Sequence, residues 1–420
     1  MPPHDPVALG LSLPLWSVVP FAGLLLSIAL LPLFAPSLWV RHYAKVCLAF
    51  GVPVAGFFLL RAPRELLHTV LEYASFLILL ASLFTISGGI LLRGTLRGSA
   101  GVNCAILAVG AVLANVFGTT GASMLLIRPL LRANAHRHRK AHVVVFFIFV
   151  VANIGGALTP IGDPPLFLGY LRGVPFFWTL RAMGLLWAVA AGLVIGAFYL
   201  VDRRAFALDT VAGGDLAAAS GEARVPLSIE GKINLPLLMV VIGAVFLPTP
   251  WREMAMVAAA FVSAWKTPAK VREENEFTWY PIEEVAVLFA GIFATMIPAL
   301  LILKARGAEL GVVSPAHFFW ATGVLSSFLD NAPTYLTFFS LAQGVGGTQT
   351  VAGVSAPLLQ ALSAGAVFMG ANSYIGNAPN FMVKAIAEEA GVRMPSFFGY
   401  MAWSCGILVP IFALLTLLFF

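Results

Sequence analysis

The stretch GALTPIGDPPLF, residues 156–167, has a near twin in GANSYIGNAPNF, residues 370–381, and the two align without a gap. They share Gly156/Gly370, Ala157/Ala371, Ile161/Ile375, Gly162/Gly376, Pro165/Pro379 and Phe167/Phe381. Thr159 faces Ser373, and Asp163 faces Asn377. Further matches fall in the same order at nearly the same offset. LAN ending at Asn115 lies opposite LDN ending at Asn331, Glu72 opposite Glu284, and LLRG near Arg93 opposite LKARG near Lys304. A single local match is easily chance, whereas several in one order argue for an internal duplication.

The surroundings of the twin motifs are apolar throughout. Of 420 residues, 60% are hydrophobic and 10% charged, against about 25% charged in an average soluble domain; mean hydropathy is +0.93. Apolar windows of about 20 residues, the length that crosses a roughly 30 Å hydrocarbon core, recur along the whole chain. The alternation of a β-barrel strand is absent, so the spans are helices, which satisfy their own backbone hydrogen bonds in lipid. The fold class expected is an all-α polytopic membrane protein.

The net charge of +6 sits in short loops between spans, where it reads as a topology signal rather than a nucleic-acid surface. In particular, HRHRK at His136–Lys140 reads as an inner-surface anchor beside a span. Cys47, Cys104 and Cys405 stand singly in apolar segments, without metal-site or disulfide spacing. The first fourteen residues lack the basic region and cleavage site of a removable signal peptide.

Polar residues divide the chain. Residues 1–201 form the first repeat, with a hairpin at about 100–131 and a broken helix at about 141–170. Residues 202–232, mixed in charge and rich in Gly, Ala and Ser, form a cytoplasmic linker. Residues 233–420 form the second repeat, with a hairpin at about 315–343 and a broken helix at about 353–390. If each hairpin re-enters on one side, five crossings remain per repeat, and an odd number inverts the second copy. An outside N-terminus then places eighteen of the 25 basic residues in inner loops. Both termini would lie outside, and the inner (plasma) membrane of a bacterium is the expected location.

Backbone that leaves the helix at membrane depth is tolerated where protein buries it or it lines a cavity, so the interrupted segments are the candidate site. The residues expected there are Asn115, Thr119, Thr120, Asn153, Thr159, Asp163, Asp330, Asn331, Thr334, Asn372, Ser373 and Asn377. Asp163 and Asp330 are the two carboxylates, candidate Na⁺ ligands or exchangeable proton sites; an ionisable residue at this depth is costly and functional by default. Each also has a purely structural reading, Asp163 as a helix N-cap ahead of Pro164 and Asp330 as a turn and cap. Glu72, Glu283 and Glu284 lie near span ends, within reach of water.

At these motifs the chain resembles the ion transporter superfamily, which includes NhaD-type sodium/proton antiporters, arsenite permeases, citrate transporters and divalent anion/sodium symporters. NIGGALTPIGDPP and SSFLDNAPT look most like the antiporter and arsenite-permease branches, and GANSYIGNAPNFMVKAIAEEAG like the putative citrate transporters. The resemblance implies a scaffold domain, a transport domain holding hairpins and broken helices, a homodimer, and elevator-type movement. In the symporter branch each hairpin tip carries Ser-Asn-Thr. Here the places fall to Asn115 with Thr119 and Thr120, and to Asp330, Asn331 and Thr334.

Sodium/proton antiport is the leading expectation, with Na⁺ or H⁺ as coupling ion and no other cofactor. The alternative is Na⁺- or H⁺-coupled citrate or dicarboxylate symport. An enzyme is disfavoured, because HExxH, GxSxG and a sizeable polar domain are all missing from the sequence. The partners expected are a small ion or carboxylate substrate, the lipid bilayer and a second copy of the chain, with no nucleic acid.

Overall fold

A computed structural model describes residues 5–94, 96–212 and 226–420, with only the backbone at 210–212. The middle of the expected linker and the first four residues lie outside the described residues. The first half contains α1 (Pro6–Ser12), α2 (Val19–Phe34), α3 (Pro36–Arg61), α4 (Pro63–Ser87), α5 (Ala100–Ala133), α6 (Ala141–Val150), α7 (Pro164–Leu171) and α8 (Trp178–Ala212). The second contains α9 (Asn234–Ala244), α10 (Trp251–Lys266), α11 (Ala269–Glu274), α12 (Tyr280–Arg306), α13 (Pro315–Phe328), α14 (Asn331–Val345), α15 (Ala356–Met369), α16 (Ala378–Glu389) and α17 (Phe397–Phe419).

Local chemistry sets many of the boundaries. Pro is the first residue of α3, α4, α7 and α13 and the second of α15 and α16, where its missing N–H would have had no intrahelical partner. Ser99, Ser314 and Ser396 cap α5, α13 and α17 through their hydroxyls. Eight helical stretches among the described residues are long and apolar enough to cross a bilayer. The fold is the all-α polytopic one that the composition demands.

Burial separates a centre from a periphery. Every residue of α6 from His142 to Val150 is buried, so a helix apolar on all sides has protein around it on all sides. In α3, by contrast, Leu48, Val52, Leu59 and Leu60 are exposed, as suits a face turned to lipid.

A straight helix the length of α5 would put its ends about 50 Å apart. Instead Gly98 N–H donates to Ala133 O at 2.7 Å, and Asn103 and Asn134 exchange amide hydrogen bonds of 3.0 and 2.8 Å. The chain doubles back at Gly118, whose φ of 73° and ψ of 159° suit glycine and few other residues. The counterpart hairpin joins α13 to α14 through Leu329 and Asp330, both extended in ψ.

The two broken spans follow one backbone path. A 3₁₀ turn at Ile154–Leu158 and another at Gly370–Asn372 each follow a buried helix and precede a new one. Asp163 has φ/ψ of −144°/141° and Asn377 −151°/141°; Thr159 has −136°/155° and Ser373 −139°/170°. Within each span two glycines pack backbone on backbone. A Cβ at Gly162 would lie 2.1 Å from Gly156 O, and one at Gly376 would lie 2.5 Å from Gly370 O.

Two expectations for the polar regions change. Helix α8 continues to Ala212, well past the expected start of the linker at 202. Asp202, fully buried, accepts from Asn103 Nδ2 at 3.0 Å, contacts His142 Nε2 at 2.7 Å and pairs with Arg137 at 2.6 Å. Asp209 lies 3.8 Å from Arg137 Nε and accepts from Arg139 N–H at 3.3 Å. These bonds hold the extension in helix. They also draw Arg137 inward to 3% exposure, so HRHRK is only partly a surface anchor. The far end of the linker is tied down by β1 (Leu91–Arg93), which pairs antiparallel with β2 (Ser228–Glu230).

Candidate functional site

The first hairpin tip is clasped to the first broken span. Asn115 Nδ2 donates to Gly155 O at 2.7 Å and Ala111 O at 3.0 Å, and its Oδ1 accepts from Leu158 N–H at 2.8 Å. Thr159 Oγ1 donates to Asn115 O at 2.7 Å and accepts from Gly162 N–H at 3.1 Å. Thr119 N–H donates to Gly162 O at 2.8 Å.

The second half repeats the clasp with different side chains. Ser373 Oγ donates to Ser327 O and accepts from the N–H groups of Ile375 at 3.1 Å and Gly376 at 3.3 Å. Asn372 Nδ2 donates to Ser327 Oγ at 3.0 Å. In bonding role, Ser327 thus stands where Asn115 stands, and Asn331, the first residue after its tip, stands where Thr119 does. That register lies four residues from the match of Asn115 with Asn331 suggested by the sequence. Matching by sequence rewards identical Asn letters, whereas the fold aligns the backbone carbonyl that receives the Thr159 or Ser373 hydroxyl.

Asp163 is the meeting point of four elements. At 1% exposure its Oδ1 accepts from Thr119 Oγ1 at 2.9 Å and from Asn377 Nδ2 at 3.1 Å, while Oδ2 accepts from Asn331 Nδ2 at 2.6 Å. Thr119 and Asn331 come from the two hairpins, and Asn377 from the opposite broken span. All three donors are neutral, and among the described residues no basic side chain pairs with this carboxylate.

The geometry separates the two carboxylates. Asp163 occupies the N-cap position of α7, but its side chain makes no capping hydrogen bond; with Pro164 and Pro165 next, the first turn has few N–H groups to cap. It is turned instead into the crossing. Asp330 Oδ1 does cap α14, accepting from Ala332 N–H at 3.0 Å, and Thr334 Oγ1 donates to Asp330 O at 2.9 Å within that helix. Neither makes a hydrogen bond to Asp163, and Thr120 contributes none to the cluster.

Several buried amide oxygens in this region have no hydrogen-bond partner among the described residues, Asn331 Oδ1 and Asn372 Oδ1 among them. Buried polar atoms are normally satisfied, so an unmet carbonyl-type oxygen beside a carboxylate suits cation ligation. Asn153 Nδ2 reaches Asn380 Oδ1 at 2.7 Å, and Asn377 Nδ2 also donates to Ala152 O at 3.0 Å, so the two broken spans are bonded across the repeats.

Ser327 and Asn380 are polar residues of the site that reading the sequence did not single out. Asn380 carried a signal, since it stands opposite the apolar Leu166 in the twin motif. Glu72 departs from its expected place near water. It is 7% exposed and holds Arg172 in a bidentate pair, Nε to Oε1 and Nη2 to Oε2 both at 3.0 Å, which joins α4 to the end of α7.

A family model described as "Putative citrate transport" matches residues 10–420. No curated protein matches the chain.

Proposed function

The chain belongs to the putative citrate transport family of the ion transporter superfamily, an integral membrane secondary transporter, and on that premise we propose that it exchanges sodium for protons at Asp163. The observation that carries this reading is a fully buried carboxylate gathered by three neutral donors, with no cationic partner among the described residues. A lone acid of this kind accepts one monovalent cation at a time, Na⁺ or H⁺, and the two compete for the same oxygens.

The surrounding side chains suit either occupant. Asn331 and Asn377 donate to the bare carboxylate; rotating the Asn331 amide would present oxygen instead, whereas the Asn377 amide is held by its second bond to Ala152 O, and the Thr119 hydroxyl has lone pairs to offer as well. Asn372, Ser373, Thr159 and Asn115 hold the loops that frame the crossing. Asp330 and Thr120, close by in sequence at the tips, would serve an approaching ion. Two inverted repeats and outside termini, supported by the matched halves and the basic residues of the loops, and a homodimer in a bacterial plasma membrane with elevator-type movement, supported by the family resemblance, complete the proposal.

The second reading, cation-coupled symport of citrate or a dicarboxylate, is favoured by the family description and by the N-termini of α7 and α16 at the crossing, whose dipoles attract anions. Against it stands the uncompensated Asp163 charge, which repels a polyanion unless cations bind first.

Proteoliposomes with an entrapped pH dye decide between them. A sodium gradient should drive proton movement in the wild type and not in Asp163→Asn. Absence of a sodium response, or its persistence in the variant, would defeat the antiport reading, and sodium-driven uptake of labelled citrate would establish the second.

A further inference from the structure

We propose that Asn380 is a positioning residue for the ion site, fixing the Asn153 amide so that its oxygen is presented as a cation ligand; this rests on the reading of the crossing as a Na⁺ site. Both residues are fully buried. Asn153, just beyond the end of α6 and immediately before the 3₁₀ turn at Ile154–Leu158, donates from Nδ2 to Ile148 O at 2.8 Å and to Asn380 Oδ1 at 2.7 Å. Asn380, in the first turn of α16, donates from its own Nδ2 to Gly370 O at 2.8 Å and Ser373 O at 2.9 Å.

The chemistry allows one orientation of each amide. Ile148 O, Gly370 O and Ser373 O are backbone carbonyls, which only accept. Turning Asn380 over would set its oxygen against two of them. With Asn380 fixed, turning Asn153 over would set oxygen against oxygen at both of its contacts. Asn153 Oδ1 is therefore held on the remaining side, buried and without a hydrogen-bond partner among the described residues. It faces the loop of the second broken span, where the position of a Cβ on Gly370 lies 3.0 Å from this oxygen and 3.2 Å from Gly376 O.

The device exists once. Across the repeats Asn380 corresponds to Leu166, and Asn153 to Val367, neither of which can take part in such a relay. The asymmetry between the halves thus extends beyond Asp163 and Asn377. The first span supplies the ligand, and the second supplies the residue that orients it.

The experiment compares purified wild type with Asn380→Leu, the side chain of the equivalent position, and Asn380→Ser, too short to reach Asn153. Two quantities are read over a Na⁺ series balanced with choline, the thermal midpoint and the flux in proteoliposomes. We expect half-saturating Na⁺ to rise about tenfold in both measurements, with maximal flux within about twofold of wild type. A merely structural role would lower the midpoint in choline and leave half-saturating Na⁺ unchanged, which overturns the proposal; Asn380→Ser carries the test if the leucine variant does not fold. A wild type without any Na⁺ response overturns the sodium reading and this proposal with it, whereas a wild-type response that both variants keep overturns this proposal alone.

Discussion

Asp163 and Asn377 occupy the same position in the two halves of the chain, 214 residues apart, and they touch, Asn377 Nδ2 donating to Asp163 Oδ1 at 3.1 Å. The carboxylate of one half is thereby held by the amide of the other, at the point where two broken helices and two hairpin tips meet. A duplicated motif that differed by a single atom type at this position has become an unequal pair.

That inequality is built into the surroundings as well. Asn377 Nδ2 also donates to Ala152 O at 3.0 Å, and a carboxylate at 377 would face that carbonyl with nothing to donate. The exchange Asp163→Asn/Asn377→Asp should therefore fail to restore transport, although it conserves charge and volume. The loss, from an unmet buried contact of about 1.5–3 kcal/mol, should be at least tenfold in Na⁺-driven proton flux. Flux equal to wild type would mean that the two positions are interchangeable.

The glycine crossings make a prediction about stability. With a Cβ lying 2.1 Å from Gly156 O, Gly162→Ala should cost about 1–3 kcal/mol through forced backbone displacement. Gly376→Ala, 2.5 Å from Gly370 O, should behave alike. Gly184→Ala on α8, where nothing lies within 4 Å, is the control and should stay within about 0.5 kcal/mol. Thermal unfolding in detergent monitors all three.

The pair of Glu72 with Arg172 should show strong coupling in a double-mutant cycle. Arg172 is 17% exposed and Glu72 only 7%, so Arg172→Met alone strands a buried carboxylate. We expect it to lower stability by about 1–3 kcal/mol, reduced from the fully buried case by the partial exposure of the arginine. Adding Glu72→Gln should recover most of the loss. Additive effects of the two changes would show that the pair contributes no net attraction.

Acidification should act through His136, in the loop between α5 and α6. Burial and the positive charges of Arg97 and Arg137 hold its pKa below the ordinary value. The unfolded chain then binds this proton more readily than the folded one. The contribution of His136 to stability is complete above its unfolded pKa of about 6.5 and is lost as pH falls through the depressed folded value. Between pH 7 and pH 5 the thermal midpoint of wild type should fall further than that of His136→Gln. Parallel midpoints would remove His136 as a cause.

Much of this was legible in the chain as written. Apolar windows of bilayer length dictate helices, because in lipid a helix alone closes its backbone hydrogen bonds within one segment. The twin motifs around Gly156 and Gly370 announce two broken spans, since their glycines and prolines forbid a continuous helix wherever the fold places them. Asp163 could be singled out for the same local reason, a charge where charge is expensive.

What the sequence left open depends on contacts between residues far apart in the chain. Asp163 and Asp330 look equivalent as letters, and only the packing shows one turned into the crossing and the other spent as a cap. The register of the hairpins, the inward turn of Arg137 to Asp202 and the bond of Asn153 to Asn380 have no local signature. Each is chosen by which distant carbonyl or carboxylate the fold brings within about 3 Å, and hydrogen bonds at that range are set by tertiary position rather than by neighbours in sequence.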